Sequence, residues 1–261
     1  MGFKITQVDA FTNEPFKGNP AAVCVLPEPK DDVWMKLVAR EMNLSETAYL
    51  LREGDGYRLR WFTPVSEVKL CGHATLASAH VLWEEGFLKR EQEPKFQTLS
   101  GVLSAKWIDG WIELNFPHWG IEAMPAPEAL LKGLQVPVKF SGKSVQAWFA
   151  EVDSEDVVRN LSPDFQLLKT LDRDVLVTSA SKSKDYDFVS RYFAPRHAID
   201  EDPVTGSAHC VLTPYWADKL GKNELRAYQA SERGGFLRVR AAGDRVYLLG
   251  QAVTVMRGEL T

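Results

Sequence analysis

Two stretches of the chain are apolar or small at nearly every position. The first is Gly72-His73-Ala74-Thr75-Leu76-Ala77-Ser78-Ala79-His80-Val81-Leu82-Trp83-Glu84-Glu85-Gly86. The second runs from Gly206-Ser207-Ala208-His209 to Lys219-Leu220-Gly221. Glycine at both ends and no polar stripe predict two helices enclosed by other structure. Most of the remaining pattern is short and strand-like. Ile5 to Ala10 alternates, and Ala21 to Leu26 is stopped by Pro27 and Pro29. Asp31-Asp32 predicts a helix through about Met42, with Val33, Trp34, Leu37 and Val38 as its apolar face. Strands follow at Thr47 to Leu51 and Tyr57 to Phe62, joined by the turn Gly54-Asp55-Gly56. More are predicted at Phe96 to Leu99, Val102 to Ile108 and Trp111 to Phe116. Pro117, Pro125 and Pro127 make 117–127 the linker candidate. Beyond it the pattern predicts strands near Val145–Val152, at Asp174–Ser179 and at Asp187–Phe193, and a short helix near Glu155–Asn160.

The two enclosed helices sit in a longer repeat. Arg60-Trp61-Phe62-Thr63-Pro64 precedes the first, and Arg191-Tyr192-Phe193-Ala194-Pro195 the second. Gly101 lies 29 residues past Gly72, and Gly235 lies 29 past Gly206. Asp109-Gly110 then aligns with Gly243-Asp244, and Trp111–Leu114 with Arg245–Leu248. A period near 130 residues predicts two copies of one α+β unit related by an approximate two-fold axis. The expected domains are 1–117 and 118–261, each a barrel-like sheet wrapped around a central helix. The last strand has the option of packing back on the first domain.

Composition narrows the function. Net charge is −4 with no basic cluster, which leaves nucleic-acid binding without electrostatic support. No apolar run reaches the roughly 18 residues of a membrane span, and the start of the chain lacks the shape of a signal peptide. Cys24, Cys71 and Cys210 show no metal-type spacing and read as reduced, buried thiols of a cytoplasmic protein.

A glycine-led helix start offers unpaired amides and a positive dipole end, and two facing each other suit a carboxylate or a developing enolate. Ordinary helix starts would carry the same residues. Glu46, in Leu44-Ser45-Glu46-Thr47, leaves a helix beside predicted core rather than in a charged run. A carboxyl held against apolar surface is a usable proton carrier near neutrality. His73 is read as acid, base or hydrogen-bond donor, Asp202 as a partner for His73 or a substrate amine, and Ser207 as a polar cap or ligand. Carried back from Arg60 and Arg191, the repeat sets Glu46 opposite Val177, which predicts one carboxylate proton carrier with no counterpart.

Several segments together resemble one family. They are Asp9-Ala10-Phe11-Thr12, Phe16-Lys17-Gly18-Asn19-Pro20-Ala21-Ala22-Val23, Asn43-Leu44-Ser45-Glu46-Thr47, Arg60–Pro64, Leu70-Cys71-Gly72-His73-Ala74-Thr75 and Glu201-Asp202-Pro203-Val204-Thr205-Gly206-Ser207-Ala208-His209. The chain is similar throughout to the phenazine-biosynthesis-like (PhzF-type) isomerases of the diaminopimelate epimerase superfamily. The resemblance implies two similar domains with the site between them, cofactor-free and metal-free proton chemistry, and a homodimer. It implies Glu46, His73 and Asp202 as catalytic residues, and Asn19, Ser45, Gly72, Ala74, Gly206 and Ser207 around a small carboxylate substrate. The epimerase branch uses two facing cysteines. Here Cys71 precedes Gly72, but the second helix start has none, since Cys210 lies inside the helix. The expected activity is an isomerase moving a proton and a double bond. An amino-acid epimerase or racemase, and a non-catalytic protein-binding scaffold, are the alternatives.

Overall fold

A computed structural model describes residues 2–197 and 199–261. Contacts divide the chain into two compact units, residues 1–116 with 248–261, and residues 117–247. The first unit is built from β1 (Phe3–Ala10), β2 (Asn19–Leu26), α1 (Asp32–Met42), β3 (Glu46–Glu53), β4 (Gly56–Phe62), β5 (Glu67–Val68), α2 (Gly72–Glu84), β6 (Lys95–Thr98), β7 (Gly101–Ile108) and β8 (Trp111–Pro117). The second contains β9 (Glu122–Ala123), α3 (Glu128–Leu134), β10 (Phe140–Lys143), β11 (Ala147–Glu151), α4 (Glu155–Arg159), α5 (Phe165–Leu168), β12 (Asp174–Ala180), β13 (Phe188–Ala194), β14 (Ile199–Asp202), α6 (Gly206–Leu220), β15 (Glu224–Gln229) and β16 (Gly235–Ala242). β17 (Arg245–Gly250) follows, and β18 (Ala252–Leu260) belongs to the first unit, where it pairs antiparallel with β1.

Strand pairing proves the duplication. In the first unit β2 and β3 are parallel, β3 and β4 antiparallel, β4 and β6 parallel, and β6 and β7 antiparallel. The second repeats this order with β11, β12, β13, β15 and β16. Side chains repeat with it. Arg60 forks onto Glu67 through two 2.7 Å hydrogen bonds, and Arg191 forks onto Glu201 through two more of 2.7 Å. Each guanidinium also lies over a phenylalanine two residues on, 5.0 Å from Phe62 and 4.9 Å from Phe193. The bidentate geometry holds the short strands β5 and β14 against their neighbours.

Both enclosed helices form as the pattern predicts. Nearly all of α2 is buried, from Gly72 to Trp83 with only His80 partly exposed. α6 ends at Gly221, whose left-handed backbone returns its N–H to Ala217. Pro214 inside α6 lacks the N–H that would bond the Cys210 carbonyl, and the Trp119 N–H donates to that carbonyl instead, at 3.0 Å. The face predicted for α1 holds at Trp34 and Val38, which pack on the core, and is corrected at the other two positions. Val33 and Leu37 are 68% and 55% exposed, and the buried set is Met35, Val38 and Ala39. Those positions recur at three and four residues and pack on Ile5, Ala22 and Tyr49; Val33 and Leu37 lie on the other side. α3 and α5 escaped the sequence reading because each is too short for a helical period to register. They nonetheless close the second unit's outer core, where Leu130, Leu134 and Leu168 pack on Val175 and Val177. None of the three cysteines is in a disulfide, and all are buried. No helix among the described residues is long and apolar enough to cross a membrane.

Candidate functional site

Three element starts meet at one end of the first unit. β2 opens with Asn19, β3 with Glu46, and α2 with Gly72 after its N-cap Cys71. Parallel pairing sets Ala21 beside Glu46, so the two strands begin together. Gly18, at φ 64°, makes the turn into Asn19, and a Cβ there would overlap the Ala10 carbonyl. Asp9 steadies the preceding loop by accepting the Phe16 N–H at 2.7 Å.

His73 is the centre of this cluster. It is buried, with Nδ1 3.2 Å from the Asn19 side-chain nitrogen and 3.5 Å from Cys71 Sγ. An amide that donates to Nδ1 leaves the ring proton on Nε2, a tautomer assigned from the hydrogen-bond network. Nε2 lies 3.3 Å from Glu46 Oε2, close but short of hydrogen-bond alignment. Burial pushes the imidazole down to about 3. His73 is therefore held neutral at physiological pH, with one ring nitrogen able to donate a hydrogen bond and the other to accept one. The N-cap Cys71 makes no side-chain capping bond to the first amides of α2, which belong to the buried Gly72, His73 and Ala74. Ser45 is half-buried in the turn between α1 and β3.

Donor atoms of Glu46, Cys71 and His73 lie within 4.8 Å of one another, the spacing of a metal cluster. The ring, however, turns Nε2 to Glu46 and Nδ1 to Cys71 and Asn19.

Asp202, Gly206 and Ser207 stand in the second unit. Asp202 ends β14 and accepts the Thr205 hydroxyl at 2.5 Å on Oδ2. Gly206 is buried, Ser207 half-buried, and the N-cap Thr205 makes no capping bond to α6. The two helix starts match in detail. Thr75 Oγ1 returns to the Cys71 carbonyl, and His209 Nδ1 to the Thr205 carbonyl, at 2.5 and 2.9 Å.

One expectation is overturned. Arg60 pairs with Tyr49, whereas Arg191 pairs with Val177, so Val177 matches Tyr49 and not Glu46. Following the same ladders, Thr47 meets Phe62 and Val175 meets Phe193, which brings Glu46 into register with Asp174. The second copy thus carries a carboxylate where the first has Glu46. The connection from β12 to β13 is longer than that from β3 to β4, and a constant sequence offset runs past it. Asp174 is buried and accepts the Tyr192 hydroxyl at 3.0 Å, with His197 Nε2 3.5 Å from its other oxygen. Burial raises its carboxyl above the usual range, the neighbouring Asp202 charge adding to the effect against His197, Tyr192 and Arg196.

Comparison with known proteins identifies the family and the fold. An uncharacterised isomerase of Halalkalibacterium halodurans is 56% identical over 262 residues, covering 100% of this chain and 99% of the relative. The crystal structure of a PhzF-family phenazine biosynthesis protein from Enterococcus faecalis superposes with a TM-score of 0.95 at 41% identity, over 100% of both chains. A hydroxyproline epimerase from Agrobacterium vitis shares the fold at a TM-score of 0.66 and 11% identity, over 99% of this chain and 92% of the other. The phenazine biosynthesis-like family model matches residues 8–258. With that match over nearly the whole chain, and a duplicated fold built around two enclosed helices, the protein belongs to the phenazine biosynthesis-like (PhzF) family of isomerases.

Proposed function

We propose that this isomerase shifts a proton, and with it a double bond, on a small carboxylate-bearing metabolite, with Glu46 as proton carrier and no cofactor. The observation that carries the reading is the Glu46 carboxylate 3.3 Å from a buried, neutral His73. Asn19 fixes the imidazole so that its remaining proton faces Glu46. Glu46 takes a proton from a carbon beside the substrate's unsaturation and returns it to another carbon on the same face. The electron pair left behind shifts the double bond, and the first amides of α2, at the positive end of the helix dipole, stabilise the charge that develops. We further propose that Asp202, Ser207 and the first amides of α6 bind the same substrate, and that the protein works as a cytoplasmic homodimer.

The test is solvent exchange. Wild type and Glu46→Gln are incubated in D2O with a panel of unsaturated, α-amino and α-hydroxy carboxylic acids, and deuterium is read by NMR. Glu46→Gln keeps the shape and removes the proton carrier, so exchange into the turned-over acid should fall by about a hundredfold or more. Undiminished exchange would refute the role of Glu46. Asp174 supports a second reading, a two-base epimerase, because the repeat places it at the position of Glu46. That reading requires inversion at the exchanging carbon and loss of turnover in Asp174→Asn.

A further inference from the structure

The two copies differ where their enclosed helices begin. In the first unit Tyr57 pairs with Phe96, and in the second Phe188 pairs with Ala227. Two residues further along, Thr98 stands where the second unit has Gln229. Thr98 is half-buried and gives its hydroxyl to Gly101 in its own turn. Gln229 is wholly buried and spends its amide on the segment that leads into α6. Its Nε2 donates to the Asp202 carbonyl at 2.8 Å and to Thr205 Oγ1 at 3.1 Å, and its Oε1 accepts the Thr205 N–H at 2.8 Å.

The turn that follows is also different. Residues 99–100 link β6 to β7, but residues 230–234 link β15 to β16. The longer turn carries Ser231, which donates to the Pro203 carbonyl at 2.8 Å and accepts the Gly234 N–H at 3.1 Å. Thr205 completes the set by donating to Asp202 Oδ2. From the other side the Arg191–Glu201 fork holds β14. Asp202, Pro203 and Thr205 are thereby tied at backbone and side chain together.

The fold itself does not require this clamp. The first unit forms the same strands and the same enclosed helix with Cys71 at the N-cap, Thr98 on the strand and a two-residue turn. A buried amide is tolerated only with its donors and acceptor satisfied, and all of those of Gln229 are satisfied by one short segment. We propose that Gln229 and Thr205 are positioning residues, which hold the Asp202 carboxylate and the first amides of α6 in a set geometry for an anionic substrate. The proposal rests on the functional reading above for the importance of Asp202.

The experiment needs no substrate. Protein labelled with 13C at aspartate is titrated by NMR, and the Asp202 carboxyl is assigned by its loss in Asp202→Asn. Thr205→Val removes the donor to the carboxylate and should move the Asp202 midpoint up by about one pH unit; Thr205→Ser should restore it. Gln229→Leu and Ser231→Ala should speed amide hydrogen exchange at Gly206 to Ala208 by about tenfold or more. If Gln229→Leu does not fold, the Thr205 pair and Ser231→Ala decide the matter. An Asp202 midpoint unmoved by Thr205→Val, or unchanged exchange in Ser231→Ala, overturns the clamp. Failure of the functional reading shows separately, as full deuterium exchange into the panel acid by Asp202→Asn.

Discussion

His209 should make this protein acid-labile by a predictable amount. Its ring lies in the second unit's interior, tilted 34° against Phe188 with centroids 6.1 Å apart. Nδ1 gives its proton to the Thr205 carbonyl at 2.9 Å, and Nε2 is buried without a hydrogen-bond partner. Protonation would place a charge on that nitrogen, so burial lowers the imidazole from 6.5 to about 4, the Thr205 bond opposing in part. The unfolded chain binds a proton below pH 6.5 that the folded protein refuses until about pH 4. Stability is unaffected above that window and falls as pH drops through it. Each pH unit costs about 1.4 kcal/mol, hence about 3 kcal/mol between neutrality and pH 4. His209→Asn keeps a nitrogen in reach of the Thr205 carbonyl and removes the titration. It loses packing at every pH, so its curve starts lower but should fall less steeply. Urea unfolding of both proteins from pH 7.5 to 4.5 measures the difference. Parallel curves would show that His209 is not the group that titrates.

Asp174→Asn should stabilise the protein at pH 8: the raised carboxyl loses stability as pH rises through its folded midpoint, and a neutral isostere does not. Melting temperatures that fall equally at pH 8 and pH 4 would contradict this. Gly18→Ala should cost roughly 1–3 kcal/mol in urea unfolding, since φ 64° and the Ala10 carbonyl both resist a Cβ, and it should disturb the Asn19–His73 bond; a wild-type His73 NMR spectrum would argue otherwise. Cys71→Ser should leave deuterium exchange within about tenfold of wild type, because the thiol touches Nδ1 and not the face of His73 turned to Glu46. Abolished exchange would bring the thiol into the chemistry.

The carboxylates show how far sequence reading reached. Glu46 and His73 stood out because a charged residue beside predicted core and a histidine at a bare helix start are unusual in their settings, and the fold brings the two together. Asp174 was missed although it opens a strand that the sequence predicts. Its equivalence to Glu46 passes through two hairpins of unequal length, and only hydrogen-bond register counts residues across such a difference. Gln229 and Thr205 were silent for a related reason. A buried amide is legible only from its partners, which lie 24 and 27 positions away in the chain.

By itself the sequence determined the two enclosed helices, the duplication and the helix starts at Gly72 and Gly206. These follow from local apolar periodicity and from glycine and proline, which act on their own neighbours. The tertiary structure alone decided that Val33 and Leu37 of α1 face outward, the pairing of β18 with β1 across nearly the whole chain, the contact of Asn19 with the His73 ring, and the register that sets Asp174 at Glu46's position. Each of these depends on what a residue meets across a sheet or a core, and periodicity along the chain says which side a residue takes but not which partner waits there.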